Sequence, residues 1–314
     1  MTYIKLLLTA FFWGGTFIAG RGIAGTVDPY SAAFLRFAIA SFFLLILTLK
    51  TEKKLPGLNL QQAVLVFFSG LTGIFAYNLF FFTGLGMINA NRASLIIATN
   101  PIFISLAAAL LFKDKLTPRK GIGLVLSVTG ALLIISEGNL SSILTSGIGK
   151  GELAIFGCVI SWVSYSILGK PLMAGLSPLV SVCYSSLAGT VMLLVPAIAN
   201  GMAGKVSGYG IPEWGSLFYL GFFGTVLGFY WYYQGIRTIG PTRSGVFINF
   251  VPVSALILSY FILDETVTAD ILVGAALVVS GVYLTNMTRS ETGSPAGQPN
   301  KPSGIKPADE NVSG

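Results

Sequence analysis

Residues 84–130 read GLGMINANRASLIIATNPIFISLAAALLFKDKLTPRKGIGLVLSVTG, and residues 235–281 read GIRTIGPTRSGVFINFVPVSALILSYFILDETVTADILVGAALVVSG. Aligned without a gap, Gly84, Arg92, Ile97, Pro101, Thr117, Gly123 and Gly130 fall on Gly235, Arg243, Ile248, Pro252, Thr268, Gly274 and Gly281, an offset of 151 positions throughout. Asp114 falls on Glu265. Toward the front of each copy, Trp13 and Arg21 recur as Trp162 and Lys170, and Pro29 as Pro178, at an offset of 149. The chain is therefore read as two copies of one unit, with a two-residue difference between the front of the unit and its third apolar segment.

Each copy is built of apolar runs of about 20 residues, the length of helix that crosses roughly 30 Å of hydrocarbon. Breaks at charges, Gly and Pro give ten runs, at about 4–24, 30–49, 61–84, 92–112, 119–136, 153–170, 178–199, 213–236, 243–263 and 269–287. A mean hydropathy of +0.79, 54% apolar residues and 10% charged residues exclude an ordinary soluble domain, in which about a quarter of residues are charged. The expected fold is an all-α integral membrane protein of ten transmembrane helices. Five spans per copy is an odd number, so the copies lie upside-down relative to one another, a 5+5 inverted repeat of the kind on which secondary transporters are built. Residues 1–137 and 151–288 are the two five-helix repeats, 138–150 the linker, and 289–314 a cytoplasmic tail too poor in large apolar residues to order itself. The first run, too long for a signal peptide, is read as an uncleaved first helix.

The net charge of +7 and pI of 9.4 describe topology rather than a nucleic-acid partner. With the N-terminus inside, Lys5, Lys50, Lys53, Lys54, Lys113, Lys115, Arg119, Lys120, Lys170, Arg237, Arg243, Arg289, Lys301 and Lys306 fall on the cytoplasmic side. Only Arg21, Arg92, Lys150 and Lys205 fall outside, and Arg36 lies within the second helix. That asymmetry places both termini in the cytoplasm, in a multi-pass protein of the cell (inner or plasma) membrane. Cys158 and Cys183 sit in apolar helices and are read as packing residues.

Pro101 lies about nine residues into the fourth helix, roughly 13 Å deep, and Pro252 matches it in the ninth. Each proline frees the carbonyl four residues earlier, which inside a bilayer is tolerated only against protein, water or ligand. Pro101 and Pro252 are thus candidate gating kinks, and Asn100 and Asn249 beside them candidate substrate contacts; packing kinks are the alternative. Arg36, the one charge well inside a span, is either a ligand contact or a structural clamp, and its depth of about six residues also lets it snorkel outward. Trp13, Tyr77, Asn78, Trp162, Tyr165, Tyr230 and Gln234 are candidate cavity-wall residues, suited to a partly apolar zwitterionic or neutral solute; interfacial anchoring and packing are the plainer reading for each alone.

All twelve acidic residues fall in loops, at helix ends or in the tail, and the chain has no histidine. Nothing here makes a Ser–His pair, a carboxylate dyad or a histidine-held metal, so neither an enzyme nor a cofactor or metal is expected. No buried carboxylate relay is available to a proton pump; Glu152 and Glu265, at helix ends, are the only coupling candidates. The lack of a midplane cationic cluster argues against sugar-phosphate or nucleotide-sugar substrates.

Trp13-Gly14 with Phe17 and Arg21, Leu35-Arg36-Phe37, Asn100-Pro101 and the segments Phe112–Gly123 (FKDKLTPRKGIG) and Ile262–Gly274 (ILDETVTADILVG) together resemble the EamA family of the drug/metabolite transporter superfamily. Asp114 stands where the family more often has Glu. The resemblance spans residues 1–287 and implies a ten-helix, 5+5 bundle with a central cavity that exports amino acids or other small metabolites. Its expected partners are a small-molecule substrate and the lipid bilayer, with no nucleic acid, and a monomer is expected. Efflux of hydrophobic compounds is the runner-up, and a non-transporting membrane scaffold stands behind both.

Overall fold

The computed structural model describes residues 1–112, 118–136, 148–239, 247–248 and 250–286. Its first two helices, α1 (Thr2–Ile23) and α2 (Pro29–Glu52), match the first two apolar runs. The third run is not one uniform helix. α3 (Leu60–Ser69) passes into a π-helical segment, π1 (Gly70–Ala76), and then α4 (Tyr77–Leu85). The fourth run is broken into α5 (Ala90–Ile97) and α6 (Asn100–Phe112), followed by α7 (Pro118–Ile135). In the second part of the chain come α8 (Lys150–Leu172) and α9 (Pro178–Ala199). α10 (Ile211–Phe218), π2 (Tyr219–Leu227) and α11 (Gly228–Ile239) repeat the α–π–α pattern, and α12 (Phe250–Leu263) and α13 (Ala269–Asn286) complete the described chain.

Among the described residues, Thr2–Ile23, Pro29–Glu52, Leu60–Leu85, Lys150–Gly169 and Pro178–Ala199 are long and apolar enough to cross a membrane. The burial pattern is that of a protein in lipid. Leu7, Phe11, Phe42, Ile46, Phe67, Ile160, Val195, Ile257 and Phe261 face outward, while Thr9, Ser41, Ser69, Asn78, Ser127, Ser185, Ser186, Thr225 and Ser259 are buried. Hydrocarbon solvates no polar group, so hydroxyls turn inward or back onto their own helix. Ser185 and Thr190 do the latter, donating to the carbonyls of Ser181 and Ser186 four residues earlier.

The expected kink in the fourth run is instead a break. The helix stops at Ile97, turns through Ala98–Thr99 and restarts at Asn100. This puts Pro101 in the first turn of α6, where its missing N–H costs nothing, and the Thr99 hydroxyl donates to the Ile96 carbonyl at 2.6 Å. Pro252 lies in α12 and is buried.

Glycines set the closest helix approaches. α7 and α13 cross so tightly that a Cβ on Gly130 would stand 2.6 Å from the Gly274 carbonyl oxygen, and one on Gly281 would collide with the Gly123 carbonyl. The two contacts run antiparallel, and the Ser127 hydroxyl between them donates to the Val278 carbonyl at 3.0 Å. α2 and α9 meet through the hydroxyls of Ser41 and Thr190, 2.9 Å apart. In π1, a Cβ on Gly70 would approach the Ser185 carbonyl to 3.1 Å; in π2, one on Gly221 would approach the Arg36 carbonyl to 2.8 Å.

Candidate functional site

Arg36 stands on α2 with 8% of its surface exposed. It does not snorkel. Its Nη1 donates to the Asn78 side-chain oxygen at 3.0 Å and its Nη2 reaches the Thr225 hydroxyl at 3.4 Å. The rings of Phe37 and Phe81 lie 5.3 and 5.8 Å from its guanidinium carbon, close enough for cation–π attraction. Both hydrogen-bond acceptors are held by the irregular helices. Asn78 follows π1 and fixes its amide by donating to the Ile74 carbonyl at 2.7 Å. Thr225 lies in π2 and donates to the Leu220 carbonyl, five residues back, at 2.9 Å. A π-turn misaligns its carbonyls with the ordinary ladder, and so lets side chains engage them where a cavity is needed.

Arg36, Phe37, Tyr77, Asn78, Trp162, Tyr165, Ser186, Thr225 and Phe229 are among the lining of a cavity of about 30 Å³. That space takes a water, not an amino acid, so the site is closed to solutes in this conformation. Tyr77 and Tyr165 flank Trp162 at centroid distances of 5.5 and 5.4 Å, and Phe229 lies 6.3 Å from it. Trp13 backs this wall without lining it. Its ring meets Phe229 and Tyr232 at 5.7 and 5.4 Å, and its indole N–H donates to the Gly224 carbonyl in π2 at 2.9 Å.

Wider hollows lie toward the two ends of α1. One, of about 600 Å³, is lined by Arg21, Gly86, Asn89, Asp264 and Glu265 among others. The other, of about 300 Å³, is lined by Met1, Lys5, Trp231, Gln234 and Thr238 among others.

The residues expected at the site thus divide. Arg36, Tyr77, Asn78, Trp162 and Tyr165 converge on the cavity, and Trp13 supports it. Gln234 lies at the end hollow and accepts from Lys5 Nζ at 2.8 Å; Tyr230 is half-buried outside the cavity lining. Asn100 is buried at the start of α6 and is not among the cavity's lining residues, and its side-chain oxygen has no partner. Asn249 lies outside the described residues. Ser186, Thr225 and Phe229 were not singled out from sequence.

The two coupling candidates sit in structural contacts. Glu265 accepts from the backbone N–H groups of Ala90 and Asn91 at 2.7 and 3.0 Å. It thereby caps the N-terminus of α5, where an anion also meets the positive end of the helix dipole. Glu152 pairs with Arg92 at 2.9 Å, and Arg92 also donates to the Ile135 carbonyl at 2.8 Å.

The model of the EamA-like transporter family matches residues 1–136 and 149–287. The chain belongs to that family. An uncharacterized transporter of Bacillus subtilis, YyaM, is 32% identical over 280 residues, covering 89% of this chain and 92% of that one. A probable terminal-alkyne amino-acid exporter of Streptantibioticus cattleyicolor is 29% identical, covering 90% and 92%. A protein of known crystal structure, 20% identical, superposes with a TM-score of 0.64 over 91% of this chain and 98% of its own, a likeness of fold alone. This EamA-like protein is accordingly a multi-pass membrane transporter, not an enzyme.

Proposed function

We propose that this EamA-like protein is a secondary carrier that exports small metabolites such as amino acids by alternating access, with ten helices arranged as a 5+5 inverted repeat. One observation carries the reading: several contacts between helices are paired by the repeat. Gly70 packs toward the Ser185 carbonyl as Gly221 packs toward the Arg36 carbonyl, and these are corresponding positions of the two copies. Ser41 and Thr190 correspond to one another, as do Ser127 and Val278, and each pair is joined by a hydrogen bond. Contacts between a position and its own counterpart belong on a two-fold axis. A closed cavity between two pseudo-equivalent bundles, with a hollow toward either end of α1, is the arrangement in which rocking exposes one site to each side in turn.

The cell membrane and both termini in the cytoplasm are part of this proposal, on the charge asymmetry given above, and so is a monomeric unit. Export of an amino-acid-like solute draws support from the named relative in Streptantibioticus cattleyicolor. The aromatic wall favours a second reading, efflux of hydrophobic compounds.

Counterflow in proteoliposomes tests the carrier. Preloading with unlabelled amino acids should accelerate uptake of the labelled one, with saturation. Uptake that never saturates and ignores the trans solute would point to a channel. Competition by lipophilic cations stronger than by amino acids would select the second reading.

A further inference from the structure

Among the described residues, Arg36 is a buried cation without a counter-charge. The described carboxylates are engaged or placed elsewhere: Asp28 caps α2, Glu52 accepts from Ser177, Glu213 caps α10, Glu152 holds Arg92, Glu265 caps α5, Asp264 lines the hollow beside Arg21, and Asp270 lies in the first turn of α13. Among the described residues none lines the Arg36 cavity. A guanidinium inside a membrane protein is expensive and is normally matched by an anion or a full set of acceptors. Here the match is incomplete. Two donors go to neutral oxygens, one of them at 3.4 Å, and Nε has no partner.

A second unspent donor lines the same cavity. The Ser186 hydroxyl is buried and without a hydrogen-bond partner. The Asn78 amide is already committed to the Ile74 carbonyl, so only its oxygen is turned to Arg36. The polar side of the cavity therefore has positive charge and spare donors, while the rest is aromatic. We propose that Arg36, with the Ser186 hydroxyl, receives the carboxylate of the carried solute, whose apolar body lies against Trp162, Tyr77 and Phe229.

The planar guanidinium fork suits a carboxylate geometrically. A single cation balances one negative charge and is too little for a phosphate dianion. The counterpart of Arg36 in the other copy is Ser185, so the charge is present once and one carboxylate is carried per cycle. This assignment rests on the carrier reading but names the head group that the carrier recognises.

The full chain in nanodiscs is titrated with L-leucine, 4-methylpentanoate, L-leucinol and L-leucinamide, and with the matching phenylalanine set, by thermal shift. Within each set the body is shared and the head group changes. The acids should raise the melting temperature, and the alcohol and amide should not. Tighter binding of L-leucine than of 4-methylpentanoate, or the reverse, supports the assignment either way and tells whether the ammonium is also read. Arg36→Gln should weaken acid binding by about tenfold or more, the value of a charge-assisted hydrogen bond, and Arg36→Lys by less. Ser186→Asp supplies an internal anion to the same cavity. It should abolish acid binding while leaving the unliganded protein folded, which keeps the test intact if Arg36→Gln does not fold.

Equal binding of leucinol or leucinamide, retention of acid binding in both variants, or no binding by any acid would overturn the assignment. Counterflow with the same proteins reconstituted in proteoliposomes separates the two readings. Carboxylate binding without exchange would sink the carrier and spare the site; exchange of solutes lacking a carboxylate, without acid binding, would do the opposite.

Discussion

Gly130→Ala should loosen the crossing of α7 and α13. The added Cβ would stand 2.6 Å from the Gly274 carbonyl oxygen and 2.9 Å from the Val278 amide nitrogen. Both are backbone atoms, so no side chain can rotate away. The helices must part by about 0.8 Å, the gap between 2.6 Å and the 3.4 Å at which ordinary contact begins. Overpacking of this kind costs about 1–3 kcal/mol. Alanine also favours the helix over glycine by about 1 kcal/mol, so a single melting point understates the clash. Gly121→Ala, on the same helix with nothing within 4 Å of its Cβ, supplies the reference. Thermal unfolding of the purified protein should put Gly130→Ala several degrees below Gly121→Ala. Gly281→Ala, at the counterpart position, should behave like Gly130→Ala. The double variant should lose less than the two single losses together, because the first substitution has already parted the helices that the second would strain. A Gly130→Ala protein as stable as Gly121→Ala would refute the packing argument.

Glu265→Gln keeps the shape but has one carbonyl oxygen for two amides. It should cost about 1–3 kcal/mol for a charge-assisted cap partly lost, read as a lower melting temperature with α5 the first element to exchange amide hydrogens. Glu152→Gln removes the charge opposite Arg92 and should destabilise by a similar 1–3 kcal/mol. Counterflow per folded molecule should persist in that variant; stoichiometric proton flux that disappears with it would reassign Glu152 to coupling. Trp13→Phe keeps the ring against Phe229 and loses the bond to the Gly224 carbonyl, so about 1 kcal/mol of stability should go, measured by the same melt.

The apolar runs were legible because hydrocarbon demands length and polarity that composition records directly. Their irregularities were less so. Proline at 101 signals a disturbed helix, but whether the chain bends or stops depends on Thr99, whose hydroxyl takes the Ile96 carbonyl. The π segments carry a sign in the sequence: Gly70 and Gly73 recur as Gly221 and Gly224, where a neighbouring backbone (Gly70, Gly221), the Tyr165 ring (Gly73) or the Thr16 methyl (Gly224) comes close. In the site, aromatic residues and Asn78 were visible as types that suit a cavity wall. Gln234 and Asn100 are the same kind of residue, but Gln234 falls at the end hollow and Asn100 on a helix that does not line the cavity. Arg36 shows the limit most clearly. Its depth in the sequence fits snorkelling as well as burial, and its direction was decided by Asn78 and Thr225 on helices far away in the chain.

The hydroxyl pair of Ser41 and Thr190 has a polarity that distance alone does not convey. Thr190 has one hydrogen, and it goes to the Ser186 carbonyl at 2.7 Å, so Ser41 must be the donor across the 2.9 Å gap. Exchanging the roles of the two bundles would turn the relay around, with Thr190 donating to Ser41 and Ser41 to its own helix. Two hydroxyl rotations would suffice for that reversal. Under the alternating access proposed above, the seam between α2 and α9 would act as a fulcrum whose bond is kept through the stroke, its direction marking which side the protein faces.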